Sequence, residues 1–212
     1  MPSELVHLAV GALVGAALLP RFDGRALAVV LVAAAIPDLD TFLGLWIPGG
    51  HRTLLHTLVF PGVLAGAILL DDRFTGSGRL RARVGDRGVR LAWVGLAALT
   101  FGGIGPDLFT NGVNALYPFV DTFYAVDGKL LLSDQRGVVQ TFVDVSRETG
   151  GSTSTTGNTH YRTGVDPSPG DSEGSGGPPE RVFPLARQGW QVLVILTGVV
   201  TVAARLATER RR

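Results

Sequence analysis

The chain has 212 residues, enough for one domain or a small polytopic membrane protein. A hydrophobic share of 46% excludes disorder of the whole chain, the lack of cysteine excludes disulfides, thiolate metal sites and a cysteine nucleophile, and a net charge of +1 gives no electrostatic case for a nucleic-acid partner. Charged residues make up 17%, against roughly 25% in an average soluble domain.

The apolar residues come in blocks over 5–19, 26–37, 54–70, 91–106 and 188–204, whose only ionisable members are His7 and His56. A bilayer span takes about 20 mostly apolar residues. The last three blocks approach that length, and the first two reach it with their flanks. Val192-Leu193-Val194-Ile195-Leu196 lacks the polar stripe of a helix buried in a soluble domain. Glu4, His7 and the absence of a basic start speak against reading the first block as a cleaved leader.

The pattern therefore predicts an all-α class, a polytopic membrane bundle of about five spans. Residues 1–120 form a membrane-embedded core with four of them. Residues 121–185 form an extracytoplasmic loop, and residues 186–212 a last membrane helix with a basic tail.

Arginines set the orientation. Arg73, Arg79, Arg81, Arg83, Arg87 and Arg90 crowd one connection, Arg21 and Arg25 another, and Arg205 and Arg210 to Arg212 the C-terminus. Basic segments stay in the cytoplasm, so five alternating spans place the N-terminus outside and the C-terminus inside. In the outer loop, 138–145 reads as a strand or a short amphipathic helix. Residues 149–180 are mostly Gly, Ser, Thr, Pro and Asp, a composition that buries no core and predicts a flexible segment.

Ionisable groups at membrane-embedded segments are costly and mark function. The topology brings His7, Asp38, Asp40, His51, Arg52, His56 and Asp107, with Thr110 and Asn111, to one membrane face. Imidazole with carboxylate suits a divalent zinc, manganese or iron ion. Asp38 and Asp40, two apart, share no helix face, but Pro37 favours a turn that aims both at one pocket. His51 and His56 meet only if His51 precedes the helix, which Pro48-Gly49-Gly50 favours.

In order, His7, Pro37-Asp38-Leu39-Asp40, His51-Arg52-Thr53-Leu54-Leu55-His56-Thr57 and Asp107-Leu108-Phe109-Thr110-Asn111-Gly112 with Tyr117-Pro118 resemble the YdjM-like membrane-bound metal-dependent hydrolases, over about residues 1–120. The outer loop is similar to that of haloarchaeal members. Some members are described as LexA-binding, membrane-associated hydrolases. The family is distantly similar to zinc-dependent phospholipase C and its relatives, helical phosphoesterases with His and Asp ligands. The resemblance implies a metal-activated water, zinc first among the ions, and a phosphoester substrate on a lipid or lipid-linked compound. It makes His7, Asp38, Asp40, His51, His56 and Asp107 ligands or their close neighbours, with Asp38 or Asp40 as alternative general base and Arg52 on a phosphate.

One position departs from the family pattern. Gly103 stands where a histidine four residues before the late Asp is usual, which implies a smaller site, a replacement ligand or an inactive relative. The alternative reading is accordingly a membrane scaffold or interaction protein without catalysis. A small transporter is a third, disfavoured because the ionisable residues gather at one face and not at the midplane.

Overall fold

The computed structural model describes residues 2–44, 46, 49–74, 78–110, 112–126, 128–141, 148–149, 152–159 and 184–211. In chain order come α1 (Glu4–Leu18), α2 (Gly24–Ala35), a 3-10 turn (Pro37–Leu39), α3 (Asp40–Leu43), α4 (Val59–Phe74), α5 (Arg79–Ala97), a π-helical segment (Ala98–Ile104), α6 (Gly105–Leu108) and α7 (Gly189–Glu209). Between α6 and α7 lie two antiparallel hairpins, β1 (Leu130–Ser133) with β2 (Gly137–Gln140) and β3 (Glu148–Thr149) with β4 (Ser152–Thr153). The protein is thus mostly helical, and the expectation of a purely α structure is corrected by these hairpins. Val138 to Gln140 form a strand, as one of the two readings of 138–145 had it, and 142–145 lie outside the described residues.

Helix α1 is the centre of the bundle, packed against α2, α7 and the π segment. Small residues make that possible. A methyl group added at Gly11 would stand 2.6 Å from Ala34 Cβ, and one at Gly198 3.0 Å from Ala9 Cβ. Close backbone approach of this kind is how helices associate where burial from water gives little drive. Phe22, Ala26, Val30, Val94 and Ala98 fill one end of the bundle; Leu99, Ile104, Val113 and Ala115 fill the other.

Local chemistry sets the breaks. Asp23 caps α2, accepting from the amide of Ala26 at 2.9 Å. Pro37 disfavours helix at the residue before it, and α2 gives way to the 3-10 turn and α3 with a bend of 45°. Within α5, Gly85 takes φ +69, a left-handed conformation that glycine adopts without strain.

Two helices are long and apolar enough to cross a bilayer, the 30-residue run Arg79–Leu108 and the 21-residue α7; the bent pair Gly24–Ala35 and Pro37–Leu43 makes three if counted as one span. At 1.5 Å per residue α7 covers about 31 Å, matching a hydrocarbon core of about 30 Å. The expectation of five spans is not supported. Helix α1, with 15 residues, and α4, with 16, fall short of that thickness. Pro20 and the extended Leu19 stop α1, and the turns around His51 to Thr57 delay the start of α4 to Val59.

Part of the outer loop folds back on the core. Residues 152–159, inside the stretch expected to be flexible, are held by Asp121. Its carboxylate accepts from Thr156 N at 3.0 Å, Thr156 Oγ1 at 2.6 Å and Asn114 Nδ2 at 2.6 Å, while Phe123 N donates to Ser154 O at 2.9 Å. Residues 160–183 of the loop, His160 included, lie outside the described residues. Burial raises the Asp121 carboxyl pKa, but the donors from Thr156 and Asn114 outweigh it and hold the group below its ordinary value. A depressed pKa contributes stability that is present above the unfolded value and is lost as the pH falls through the folded one. Protection of the Phe123 and Thr156 amides, corrected for intrinsic exchange, should therefore drop below about pH 4. In Asp121→Ala it should drop roughly tenfold at neutral pH. Hydrogen exchange unchanged by both would contradict the clamp.

Candidate metal centre

His7 sits one turn into α1, buried with 2% exposure, and its Nδ1 lies 2.9 Å from Gly102 O. A carbonyl only accepts, so Nδ1 carries a proton and Nε2 is the nitrogen turned to the centre. That Nε2 lies 3.9 Å from Asp38 Oδ2 and 3.9 Å from Asp107 Oδ2.

The turn after Pro37 separates the two early carboxylates. Asp40, fully buried, spends both oxygens on imidazoles: Oδ1 is 2.9 Å from His51 Nδ1 and Oδ2 is 2.9 Å from His56 Nδ1. The Leu55 amide also donates to Oδ2, at 3.4 Å, and Thr41 Oγ1 lies 3.0 Å from His51 Nδ1. Because a carboxylate accepts, His56 too is protonated at Nδ1 and presents Nε2 inward. That nitrogen is fully buried, 3.0 Å from Asp107 Oδ2 and 3.6 Å from Asp38 Oδ1, and has no hydrogen bond of suitable angle. Asp38 keeps 27% of its side chain exposed and so forms the open side of the group. His51 contacts the other oxygen of Asp40, its ring edge-on to His56 with centroids 5.9 Å apart.

Asp107 is steered by Arg52. Arg52 takes the left-handed φ of +63, rare for a side chain of this size, and is 1% exposed. Its guanidinium is ion-paired with Asp107 Oδ1 and lies 3.5 Å from Gly112 O, which leaves Oδ2 of Asp107 to the centre. The arginine expected to face a phosphate is thus turned onto a carboxylate.

Thr110 donates to Pro106 O at 2.9 Å, and Asn111 lies outside the described residues. Glu4 was passed over in the reading of candidate sites. Its carboxyl lies within hydrogen-bonding reach of Asp38 at the exposed mouth. The signal was available, because Glu4 and His7 are three apart on one helix face.

The donors fit a divalent ion. Ligand atoms of His7, Asp38 and Asp107 all lie within 4.8 Å of one another. Two ligands at bond lengths of about 2.1 Å can stand at most about 4.2 Å apart. His7 Nε2, 3.9 Å from an oxygen of Asp38 and 3.9 Å from one of Asp107, meets that limit, and His56 Nε2 lies beside this group, 3.0 Å from Asp107 Oδ2 and 3.6 Å from Asp38 Oδ1. Charge is compatible: with the imidazoles neutral, Asp38, Asp40 and Asp107 against Arg52 leave an excess of two negative charges, which a divalent ion would balance.

Gly103 has a steric explanation. A Cβ there would stand 2.6 Å from Pro37 Cγ and 2.7 Å from Ala34 O; one at Gly102 would stand 2.8 Å from Gly11 N. The Gly102-Gly103 pair lets the π segment lie directly on α1 and α2, which sets the Gly102 carbonyl against His7.

Helices able to cross a bilayer and a buried His/Asp group able to hold a metal ion define the class: a membrane protein with a candidate metal centre. Comparison with known families agrees. The chain belongs to the family described as YdjM inner membrane protein, whose model matches residues 1–162, as the order of motifs implied. No curated protein and no solved structure matches it.

Overfilling a packed contact of this kind costs about 1–3 kcal/mol. Gly103→Ala, and more so Gly103→His, should lower the thermal transition by several degrees and weaken metal retention, since Pro37 must move and Asp38 with it. An unchanged transition in Gly103→His, with added metal affinity, would contradict this.

Proposed function

We propose that the protein is a membrane-bound metal-dependent hydrolase acting on phosphoesters of a lipid or lipid-linked compound, with zinc the favoured ion and manganese or iron the alternatives. The observation that carries this reading is the convergence of two imidazole Nε2 atoms, from His7 and His56, on the oxygens of Asp38 and Asp107. A divalent ion held there supplies Lewis acidity and lowers the pKa of water.

The residues divide the remaining work. His7, His56, Asp38 and Asp107 are the ligands. Asp40 orients His56 and His51, and Arg52 orients Asp107, so each acts through another group. Asp38, the one partly open carboxylate of the three, is the residue placed to take a proton from water as general base. His51 tightens the hold on Asp40.

A lipid substrate is supported by the rim. Leu39 precedes Asp40, Phe42 lies two residues after it and Phe109 two residues after Asp107, and Phe109, Phe119 and Trp46 are 63%, 81% and 76% exposed. Aromatic side chains of this kind settle at the level of lipid headgroups.

An outward-facing site is supported by the two ends of α1. His7 is near one end. At the other, Leu19 O accepts from Arg205 at 2.6 Å, next to Arg21 and the basic C-terminus. Basic ends stay in the cytoplasm, so this arrangement is in keeping with an N-terminus outside and a C-terminus inside.

The convergence of the ligand set without a histidine at 103 favours this reading over the alternative, a membrane scaffold or interaction protein without catalysis. The test is release of phosphate from phosphatidic acid by protein in lipid nanodiscs. Chelation should abolish turnover, added zinc or manganese should restore it, and Asp38→Asn should lower it by roughly a hundredfold or more. Full turnover after chelation or in Asp38→Asn would overturn the reading.

A further inference from the structure

At the far end of α1 from the metal centre, a cavity of about 320 Å³ opens between the α1–α2 turn and α5. Leu19, Pro20, Ala26 and Leu91 give it an apolar wall, and Arg21, Arg87, Arg90 and Asp86 its charges. Its volume falls at the lower end of the range for small-ligand sites, about 300–1,000 Å³.

The charges do not cancel. Arg87 is ion-paired with Asp23, and Asp86 lies 3.2 Å from Arg81 Nε. The carboxylate in the wall is therefore already balanced from outside the cavity. Arg21 and Arg90 form no ion pair among the described residues. Arg21 and Arg90 thus line an apolar floor with no ion-pair partner among the described residues, the nearby Glu209 carboxylate being engaged by the Phe22 amide at 3.2 Å.

The cavity is also built into the fold. Arg205 reaches from α7 to the Leu19 carbonyl at 2.6 Å, with its guanidinium 6.0 Å from the centre of the Phe22 ring. That contact shapes the wall made by Leu19 and Pro20. Below the cavity the outer face of α2 is apolar and exposed, with Val29 at 40% and Val32 at 64%. In a chain of an inner membrane family this face meets acyl chains.

We propose that the cavity binds the headgroup of an anionic phospholipid. The phosphate sits between Arg21 and Arg90, whose planar guanidiniums match phosphate oxygens in pairs. The acyl chains run along Val29 and Val32. Arg25, Arg210 and Arg211 at the same end raise the local concentration of anionic lipid. This site is independent of the metal centre and of the hydrolase reading.

Free phosphate shares the chemistry, and the experiment separates the two. Full-length protein in detergent is titrated with phosphatidylglycerol, with phosphatidylcholine and with phosphatidylglycerol plus millimolar inorganic phosphate, and adducts are counted by native mass spectrometry. The proposal expects a single phosphatidylglycerol adduct, little phosphatidylcholine adduct and no displacement by phosphate. Arg21→Gln/Arg90→Gln should weaken the adduct roughly 30-fold, at about a factor of five per arginine, and Arg136→Gln, remote on the β1–β2 hairpin, should leave it unchanged. Both cavity arginines are exposed, so the double variant should keep the wild-type thermal transition. Equal retention of the two lipids by wild-type protein, or unchanged retention in the double variant, would overturn the site. Full displacement by phosphate would overturn its assignment to a lipid.

Discussion

Three carboxylates packed against one guanidinium are the constraint around which the rest of the structure is arranged. Asp38, Asp40 and Asp107 meet where α2 ends and the long α5 to α6 run ends; Arg52 pairs with Asp107, and His51 and His56 pair with Asp40. Such an arrangement is stable only if every donor is committed and the remaining charge finds a cation. The commitments are visible. Gly102 O fixes the tautomer of His7, Asp40 fixes that of His56, and Arg52 occupies one oxygen of Asp107. What is left over is Nε2 of His7 and of His56, facing the oxygens of Asp38 and Asp107.

Three irregularities of the backbone serve that set. The break at Pro37 turns two carboxylates, two residues apart, to different tasks. The left-handed Arg52 brings its guanidinium to Asp107 from the loop that also carries His51 and His56. The π-helical segment, of a kind frequent at functional sites, carries the Gly102 carbonyl to His7. Small residues along α1 hold the helices close enough for side chains from four segments to meet.

The membership of the site was legible in the sequence because ionisable residues are rare in apolar blocks and each one stood out. The division of roles was not. Whether Asp40 binds a metal or orients two histidines depends on which atoms its oxygens face, and spacing does not carry that. Arg52 read as a phosphate holder because its ion pair with Asp107, 55 positions on, has no local signature. Gly103 read as a lost ligand because the nearness of Pro37 and Ala34 is a tertiary fact. The five apolar blocks were legible as helices, but their length in space was not: Pro20 and the turns before Val59 shorten two of them, and Pro37 bends a third. Asp121 and its hold on Thr156 escaped because a composition of Gly, Ser and Thr says nothing of a single long-range anchor.

The account stands or falls on a cation between His7, His56, Asp38 and Asp107. The most direct measurement is the metal content of detergent-purified protein by inductively coupled plasma mass spectrometry, beside a His56→Ala variant whose fold is checked by circular dichroism. The account predicts at least one equivalent of zinc, manganese or iron in the wild type, lost in the variant. A folded wild type that holds no divalent metal, even after the ions are added back, would contradict it.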